Sequence, residues 1–207
     1  MYLAFSPNVQ GDDASVVKAM CDCIMDLRKW MIRDRLMFND DKAEFLLLGT
    51  KQQLAKVAIN SITVGGSVVN TKPVVRNLGS WFDSQLSKST HINKLCSSAF
   101  SHLHNISRIR KFLRPVETKS LAHAFVTSRV DYCNSLLYGL PASQLNKVQR
   151  VLHAAARLVC CAPRFSHITP PTALLKQRIH FKILLFTFKA IHGIAPTYIQ
   201  NLELRSH

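Results

Sequence analysis

Two pairs of adjacent aspartates are the residues of this sequence whose type best suits catalytic metal chemistry. Carboxylates that converge at the end of a strand can hold divalent cations, which activate a hydroxyl group and stabilise a leaving oxygen. Asp12 and Asp13 follow a turn and stand where a helix begins, so their position favours helix capping over metal binding. Asp40 and Asp41 lie in another turn. The sequence therefore predicts no catalytic metal site and no bound cofactor.

The cysteines and histidines do not form a zinc motif. The chain has six cysteines and nine histidines, and none of them has the paired spacing of a zinc site. Cys21 and Cys23 would point about 200° apart on a helix, and Cys160-Cys161 has no partner motif. We expect reduced thiols packed in apolar surroundings, in an intracellular protein of the cytoplasm or nucleus. We expect neither a signal peptide nor a membrane-spanning run.

Positive charge is concentrated in the C-terminal three-quarters of the chain. The formal net charge is +15; residues 1–50 carry 6 Lys and Arg against 8 Asp and Glu, whereas residues 51–207 carry 21 against 4. This asymmetry favours a polyanionic partner, and an RNA or DNA duplex fits it better than an anionic membrane.

A cluster of basic residues between positions 84 and 125 is the candidate phosphate-binding set. Glu117 is the only acidic residue in that interval. A solvated helix face is the alternative interpretation, but the missing acidic partners favour contacts with phosphates. No base-reading motif is visible, so binding is expected to be independent of base sequence. The set consists of Lys88, Lys94, Arg108, Arg110, Lys111, Arg114 and Lys119.

The first 86 residues are expected to form a small unit of strands and one helix. Asp13 is placed to N-cap a helix that runs to about residue 36. Gly65-Gly66 supplies the turn of a hairpin, and Gly79 breaks the last strand. The apolar residues of the helix step by three and four and are Val17, Met20, Ile24, Leu27 and Met31. The predicted strands are residues 2–5, 44–49, 59–64, 67–70 and 74–82.

From residue 87 onward the apolar period is that of a helix. The first helix should end at Arg114-Pro115, which opens a second helix that stops at Gly139. A third helix begins near Pro141, and a last one covers residues 178–192. The first helix buries Ile92, Leu95, Ala99, Leu103, Ile106, Ile109 and Leu113, and the third buries Leu145, Val148, Val151, Leu152, Ala155, Leu158 and Val159. The predicted fold class is α+β, a mixed unit at 1–86 followed by an all-α bundle at 87–207.

Several segments resemble the reverse transcriptase of LINE-type (non-LTR) retrotransposons, in particular the jockey-like and chicken-repeat-like lineages. Residues 36–46 (LMFNDDKAEFL) resemble the fourth palm motif of that family, and residues 75–83 (VRNLGSWFD) resemble its primer-grip hairpin. The further matches, in family order, are residues 91–94, 108–113, 131–141 (DYCNSLLYGLP), 154–159, 181–185 and 192–199. The resemblance covers nearly the whole chain.

This resemblance implies a partial palm at residues 1–86 and a thumb-like bundle at 87–207. Lys42 corresponds to a motif lysine that helps to neutralise the pyrophosphate leaving group; an exposed lysine beside a strand is the alternative, and we prefer it for this chain. The implied primer grip lies against the terminal sugar–phosphate of the primer, where a glycine permits close approach and an aromatic ring can stack. Its residues are Leu78, Gly79, Trp81 and Phe82. Alternatively the two aromatics are core residues, and strand alternation predicts that one of them is.

The Tyr/Phe-Ala-Asp-Asp motif of the family does not occur in this sequence. The intact family enzyme is an RNA-directed DNA polymerase that uses Mg²⁺, so this chain alone is expected to retain binding of a template–primer duplex (RNA–DNA or RNA) without polymerase activity. A second hypothesis is an incomplete reading frame, whose upstream DNA encodes the rest of an active enzyme. A third is a non-enzymatic helical protein-interaction module derived from a mobile element, with contacts at stripe positions such as Leu145 and Leu152.

Overall fold

The computed structural model describes residues 12–37, 39–163 and 174–203 of the 207-residue chain. The chain separates into two units, Met1–Thr90 and His91–His207. The described part of the first unit combines helices with two small antiparallel sheets, and that of the second is helical, so the predicted α+β class is confirmed. The predicted division after residue 86 lies four residues before the observed one. The strand predicted at residues 2–5 lies outside the described residues.

The long helix of the first unit, α1 (Asp12–Arg33), ends in a Schellman motif. Arg35 adopts the left-handed conformation, with a φ of 58°, and the N–H of Leu36 donates to the carbonyl of Met31 at 2.8 Å. The helix therefore ends three residues before the predicted residue 36. It begins at Asp12, so Asp13 lies in the first turn and not at the N-cap position.

The segment at residues 44–49 is not a strand, and that prediction is wrong. Only Phe45 forms a ladder bridge, a parallel one with Thr71, and its carbonyl accepts a hydrogen bond from the N–H of Lys72 at 2.8 Å. A strand needs a neighbouring backbone in register along its length, and residue 45 alone has such a neighbour among the described residues. A short helix, α2 (Lys51–Leu54), follows, and a capping box formed by Thr50 and Gln53 starts it.

The predicted hairpin at the glycine pair is confirmed. Strands β1 (Ser61–Val64) and β2 (Ser67–Asn70) pair antiparallel across a two-residue turn. Gly65 and Gly66 have φ values of 58° and 89°, which is the backbone that such a turn requires and that glycine adopts without strain. The buried core of the first unit consists of Phe45, Ile62, Val64 and Val69, and Val17, Met20 and Ile24 of α1 pack against it.

A second hairpin forms from strands β3 (Val74–Asn77) and β4 (Ser80–Asp83). Leu78 and Gly79 make its turn, with φ values of 45° and 84°. The run predicted as one strand broken at Gly79 is therefore a strand–turn–strand. Its register pairs Arg76 with Trp81 and Val75 with Phe82.

Helices and short helical turns account for the described remainder of the chain. No described helix is both long and apolar enough to cross a bilayer. The helices are α3 (Ser89–Ile109), α4 (Pro115–Ala122), α5 (Ser128–Asp131), α6 (Ala142–Cys160), α7 (Leu175–Ile191) and α8 (Thr197–Glu203). The short turns are 3-10 helices at Arg110–Phe112 and Asn134–Leu137 and a π-helical turn at His123–Thr127.

The helix predicted to reach residue 138 ends at Asp131. Tyr132 turns the backbone into an extended conformation, with a ψ of 118°, and Cys133 follows in the left-handed conformation, with a φ of 54°. The carboxylate of Asp131 accepts a hydrogen bond from the guanidinium of Arg178 in α7 at 2.5 Å, an ion pair between two helices. Residues 131–141 therefore form a connection between helices, and an ion pair holds its first residue to α7.

The core of the second unit lies where α3, α6 and α7 meet. Ile92, Ala99, Leu103 and Ile106 of α3 are buried as predicted, whereas Ile109 is exposed. The predicted stripe of α6 is buried at its centre, because Val148, Val151, Leu152 and Ala155 contact the same core. The two core clusters contain Ile92, Val130, Leu137, Val148, Leu152, Leu175 and Ile179, and Ala99, Leu103, Val126, Val151 and Ala155.

Candidate nucleic-acid interface

The tip of the β3–β4 hairpin presents the segment that resembles a primer grip. Leu78 stands out at the tip with 82% of its surface exposed, beside Gly79. Trp81 and Phe82 are both half-buried, so the expectation that one of them is a core residue stays a prediction. The guanidinium carbon of Arg76 lies 5.9 Å from the centroid of the Trp81 ring. The hairpin thus carries an exposed aliphatic tip and a cation–aromatic pair.

Asp83 orders the loop that follows the hairpin. Its Oδ1 accepts hydrogen bonds from the backbone N–H groups of Gln85 (3.2 Å) and Ser87 (2.8 Å). Its Oδ2 accepts from the hydroxyl of Ser87 (3.1 Å) and the N–H of Lys88 (3.0 Å). Burial opposes the charged carboxylate, but these four hydrogen bonds outweigh it and lower the pKa of Asp83 below its usual value.

The structure places Lys88 away from the surface where a phosphate could reach it. Only 6% of the residue is exposed, and its ammonium lies 3.4 Å from the centroid of the Phe82 ring. Desolvation lowers the pKa of this amine, and the nearby Asp83 carboxylate opposes that shift. The prediction of Lys88 as a phosphate-binding residue is therefore replaced by a packing role, because its charge is held on an aromatic face.

The side of α3 that lies opposite its buried stripe is polar and free of acidic residues. Lys94, Ser98, Ser101, Asn105 and Arg108 recur at steps of three and four, so they share one face of the helix. Arg129 of α5 reaches the same face, where its guanidinium donates to the hydroxyl of Ser98 at 2.8 Å. None of the 21 residues of α3 is Asp or Glu. We call these six residues the α3 polar face; it is about 21 Å long at about 1.5 Å per residue.

Among the remaining predicted basic residues, Arg110 makes hydrogen bonds that hold the unit together. Arg110 is half-buried at the end of α3, and its guanidinium donates to the carbonyls of Leu113 (3.0 Å) and Leu158 (3.4 Å) and to the sulfur of Cys161 (2.9 Å). These bonds tie the ends of two helices, so Arg110 belongs to the structure of the unit and not to an open surface.

Arg114 already has an acidic partner within its own helix turn. Its guanidinium contacts the carboxylate of Glu117 at 2.6 Å, and its backbone N–H donates to the same carboxylate at 2.9 Å. These hydrogen bonds lower the pKa of Glu117. Lys111 and Lys119 are exposed, and the ammonium of Lys111 lies 4.9 Å from the Phe112 ring. The exposed lysines stay candidates for phosphate contact, whereas the charge of Arg114 is partly neutralised.

Lys42 ends a short 3-10 turn (Asp40–Lys42) in the first unit and is exposed. It lines an apolar cavity of about 530 Å³, together with Phe45 and Phe82. Among the described residues no three His, Cys, Asp or Glu side chains come together as metal ligands. The residues found there do not fit the Mg²⁺ that the resemblance implies for the intact family enzyme, and no chemical step through a metal follows from them.

Sequence reasoning missed Ser98, Ser101, Asn105 and Arg129, because it selected residues by charge alone. A usable signal was present: the polar residues sit two positions after the buried stripe residues and therefore on the opposite side of the helix. Arg129 carries no such signal, since its contact with α3 spans 31 positions.

No protein-family model matches this chain, and neither a curated protein nor a solved structure matches it. The resemblance of its motifs and the geometry of the α3 polar face are therefore the grounds on which a function can be proposed.

Proposed function

We propose that this chain is the palm-and-thumb portion of a LINE-type reverse transcriptase, and that it binds a template–primer duplex through the phosphate backbone, independently of base sequence. The observation that supports this most directly is the α3 polar face. The proposal covers RNA–DNA and RNA duplexes and leaves out polymerisation, because the catalytic aspartate motif of the family does not occur in this sequence.

The composition of the α3 polar face suits phosphate contacts. Lysine and arginine side chains neutralise phosphates, and serine and asparagine side chains add hydrogen bonds that position a protein on the backbone. A solvated helix face normally interleaves both charge signs, and this one holds cations at both ends, Lys94 and Arg108, with Arg129 between them. The hydrogen-bonding groups are not arranged in a pattern that reads base edges.

The salt dependence of binding tests this proposal. Each phosphate contact contributes about −0.9 to the slope of log affinity against log salt on B-form DNA. The double variant Lys94→Gln/Arg108→Gln should reduce the steepness of that slope by about 1.8, measured by fluorescence anisotropy between about 50 and 200 mM salt. The slope is measured first with a labelled DNA duplex, for which the contribution of each phosphate contact is established, and then with an RNA–DNA hybrid, which is the proposed ligand.

A matched variant separates local contacts from the general loss of positive charge. Lys18 and Lys51 are exposed lysines in the first unit, so Lys18→Gln/Lys51→Gln removes the same number of charges elsewhere. That variant should keep the wild-type slope. Equal effects of both double variants, absence of binding at low salt, or a strict preference for one base sequence would each contradict the proposal.

The family assignment has its own test in the reading frame. An in-frame Ala-Asp-Asp codon run in the genomic DNA just upstream of Met1 would support it and would favour the incomplete reading frame, whereas an intervening stop codon would exclude that second hypothesis. The alternative of a protein-interaction module stays a hypothesis. Leu152 is buried in the core and Leu145 packs against it, so polar substitutions at these two positions would test the folding of the unit together with partner binding.

A further inference from the structure

The short turn that follows α3 carries an exposed aromatic ring with cations beside it. Phe112 is the last residue of the 3-10 turn Arg110–Phe112, and 77% of its surface is exposed. The ammonium of Lys111 lies 4.9 Å from the centroid of the ring. Arg108 and Lys119 are exposed in the adjoining helices. An exposed ring among exposed cations is the combination with which proteins bind single-stranded nucleic acid.

Hydrogen bonds from Arg110 hold this turn in place. The guanidinium donates to the carbonyls of Leu113 (3.0 Å) and Leu158 (3.4 Å) and to the sulfur of Cys161 (2.9 Å). The N–H of Leu113 donates in turn to the carbonyl of Arg110 at 3.1 Å. The backbone is therefore tied on both sides of Phe112. A ligand that stacks on the ring does not have to order the turn first, which favours binding.

The ring lies on the same side of α3 as the α3 polar face. Phe112 follows Lys94 by about five full turns of an ideal α-helix, so a continuous helix would align the two residues. The last turn has the three residues per turn of a 3-10 helix, which rotates the ring by only about 60° from that line. A strand that follows the polar face and continues beyond Arg108 therefore reaches the ring.

The charge around the ring favours an anionic ligand. The second unit, His91–His207, contains only three acidic residues. Glu117 is the one nearest to the ring in the sequence, and it is already paired with Arg114 at 2.6 Å. A phosphate group that approaches Phe112 and Lys111 therefore meets net positive charge.

An anionic membrane would attract the same cations, but it fits the geometry less well. Peripheral binding to a membrane uses the broad apolar face of an amphipathic helix. Phe112 stands instead on a turn of three residues, next to a helix face of hydroxyl, amide and cationic groups. A nucleic-acid base needs one ring on which to stack, so the geometry favours a nucleic acid.

We propose that Phe112 stacks on an unpaired base of a single strand that leaves the end of the bound duplex, while Lys111 contacts the phosphate of that strand. This inference rests on the duplex binding proposed above and adds a single-stranded ligand to it. Stacking uses the flat face that every base has, so the site accepts any base sequence.

The test uses the full chain and RNA–DNA hybrids that differ at one end only. One hybrid is blunt, one has a short overhang of pyrimidine nucleotides, and one has an overhang of equal length made of abasic nucleotides. The overhang is placed on the template strand in one series and on the primer strand in another. Because the abasic overhang keeps the phosphates and lacks the bases, the comparison separates stacking from charge. In at least one series we expect the pyrimidine overhang to bind at least about fivefold more tightly than the abasic one, measured by fluorescence anisotropy.

Variants of the ring assign this difference to Phe112. Phe112→Ala should abolish it and leave the affinity for the blunt hybrid unchanged, whereas Phe112→Trp should keep it. The matched control is Phe181→Ala, which removes a 67%-exposed ring from α7 and should also keep the difference. Lys111→Gln should reduce the steepness of the salt slope for the overhang ligand by about 0.7, whereas Phe112→Ala should not change the slope, because a ring releases no counterions. Far-UV circular dichroism establishes that the variants keep their helices.

Three results would overturn the inference. The first is equal binding of the pyrimidine and abasic overhangs in both series. The second is a loss in Phe181→Ala as large as the loss in Phe112→Ala. The third is binding to phosphatidylcholine–phosphatidylserine vesicles that requires Phe112 while the difference between the overhangs does not, which would identify a lipid surface.

Failure of the duplex proposal gives a different result, because the blunt hybrid then does not bind. If a single strand alone still binds and Phe112→Ala weakens it, the stacking site stands without the duplex. If neither the hybrids nor the single strand bind, both proposals are overturned. A blunt hybrid that binds, with a difference between the overhangs that only the Phe112→Ala ring variant abolishes, supports both.

Discussion

Replacement of Asp83 by asparagine tests the hydrogen-bonded loop that follows the β3–β4 hairpin. The two carboxylate oxygens each accept two hydrogen bonds, from Gln85, Ser87 and Lys88. Asparagine keeps one acceptor oxygen, so two of the four bonds are lost. Its amide group would also place a donor against other donors. The substitution preserves size, and its effect therefore reports on the hydrogen bonds and not on packing.

The expected cost follows from the number of bonds lost. A hydrogen bond contributes about 0.5–1.5 kcal/mol, and more when one partner is charged, so the loss of two predicts a decrease of about 2 kcal/mol in the free energy of unfolding at neutral pH. The folded pKa of Asp83 lies below its ordinary value of 3.8. Its contribution is therefore fully present above the ordinary pKa and is lost as the pH falls through the folded pKa. The difference between wild type and Asp83→Asn should shrink below about pH 4.

Tryptophan fluorescence reports the unfolding of the first unit, which contains Asp83. Trp30 and Trp81 are the two tryptophans of the chain, and both belong to the first unit. In a urea titration the fluorescence midpoint of Asp83→Asn should fall by roughly 1 M. The control is Asp26→Asn, which removes a carboxylate from an exposed ion pair with Lys29 and should change stability by less than about 0.5 kcal/mol.

Two results would refute the reasoning about Asp83. One is a variant that unfolds at the wild-type midpoint, which would show that water satisfies the loop donors equally well. The other is a difference that does not shrink as the pH falls below about 4, because the stability that the charged carboxylate contributes must decrease as the pH falls towards and through the lowered folded pKa of Asp83.

Three further predictions concern the core of the second unit, the β1–β2 turn and the junction between α3 and α6. Ile92→Ala removes a fully buried side chain of α3 and should lower stability by about 2–5 kcal/mol in urea unfolding followed by circular dichroism, whereas Ile109→Ala, at an exposed position of the same helix, should change it by less than about 0.5 kcal/mol. Gly66→Ala meets open space but must adopt a φ of 89°, so it should cost about 1–2 kcal/mol in the tryptophan fluorescence transition; a neutral result would mean that the turn relaxes. Arg110→Ala should cost about 1–3 kcal/mol in the helical transition, because it leaves two backbone carbonyls without this donor; a surface-like effect would contradict its structural role.

The parts of the fold that obey local rules could be predicted from the sequence. The buried stripes of α3 and α6 follow from a period that is fixed by helix geometry. The β1–β2 turn follows from the glycine pair, since few other residues tolerate two positive φ values in succession. At residues 74–82 the same local rules predicted one strand broken at Gly79, and it was the resemblance that implied a hairpin there.

The errors occur where a distant contact decides the outcome. Residues 44–49 have the composition of a strand, yet only Phe45 finds a pairing neighbour, at Thr71. The helix whose sequence pattern continues to residue 138 ends at Asp131, which pairs with Arg178 of α7 more than 40 positions away. Arg110 was chosen by its charge, but its guanidinium binds a carbonyl 48 positions later in the chain. The short stretch of sequence around each of these residues does not contain its partner, so local patterns could not predict the contact.

The difference between exposed cations and buried or paired cations also determines the salt dependence expected for the proposed duplex binding. Seven basic residues chosen by charge would release enough counterions for a salt slope of about −6 on B-form DNA. The structure assigns Lys88 to an aromatic face and Arg110 to a helix junction, and it pairs Arg114 with Glu117. If the α3 polar face binds alone, its three cations give a slope of about −3. A measured slope near −3 would therefore mean that the α3 polar face binds as it stands, and a steeper slope would mean that further cations, such as the exposed Lys111 and Lys119, also contact phosphates.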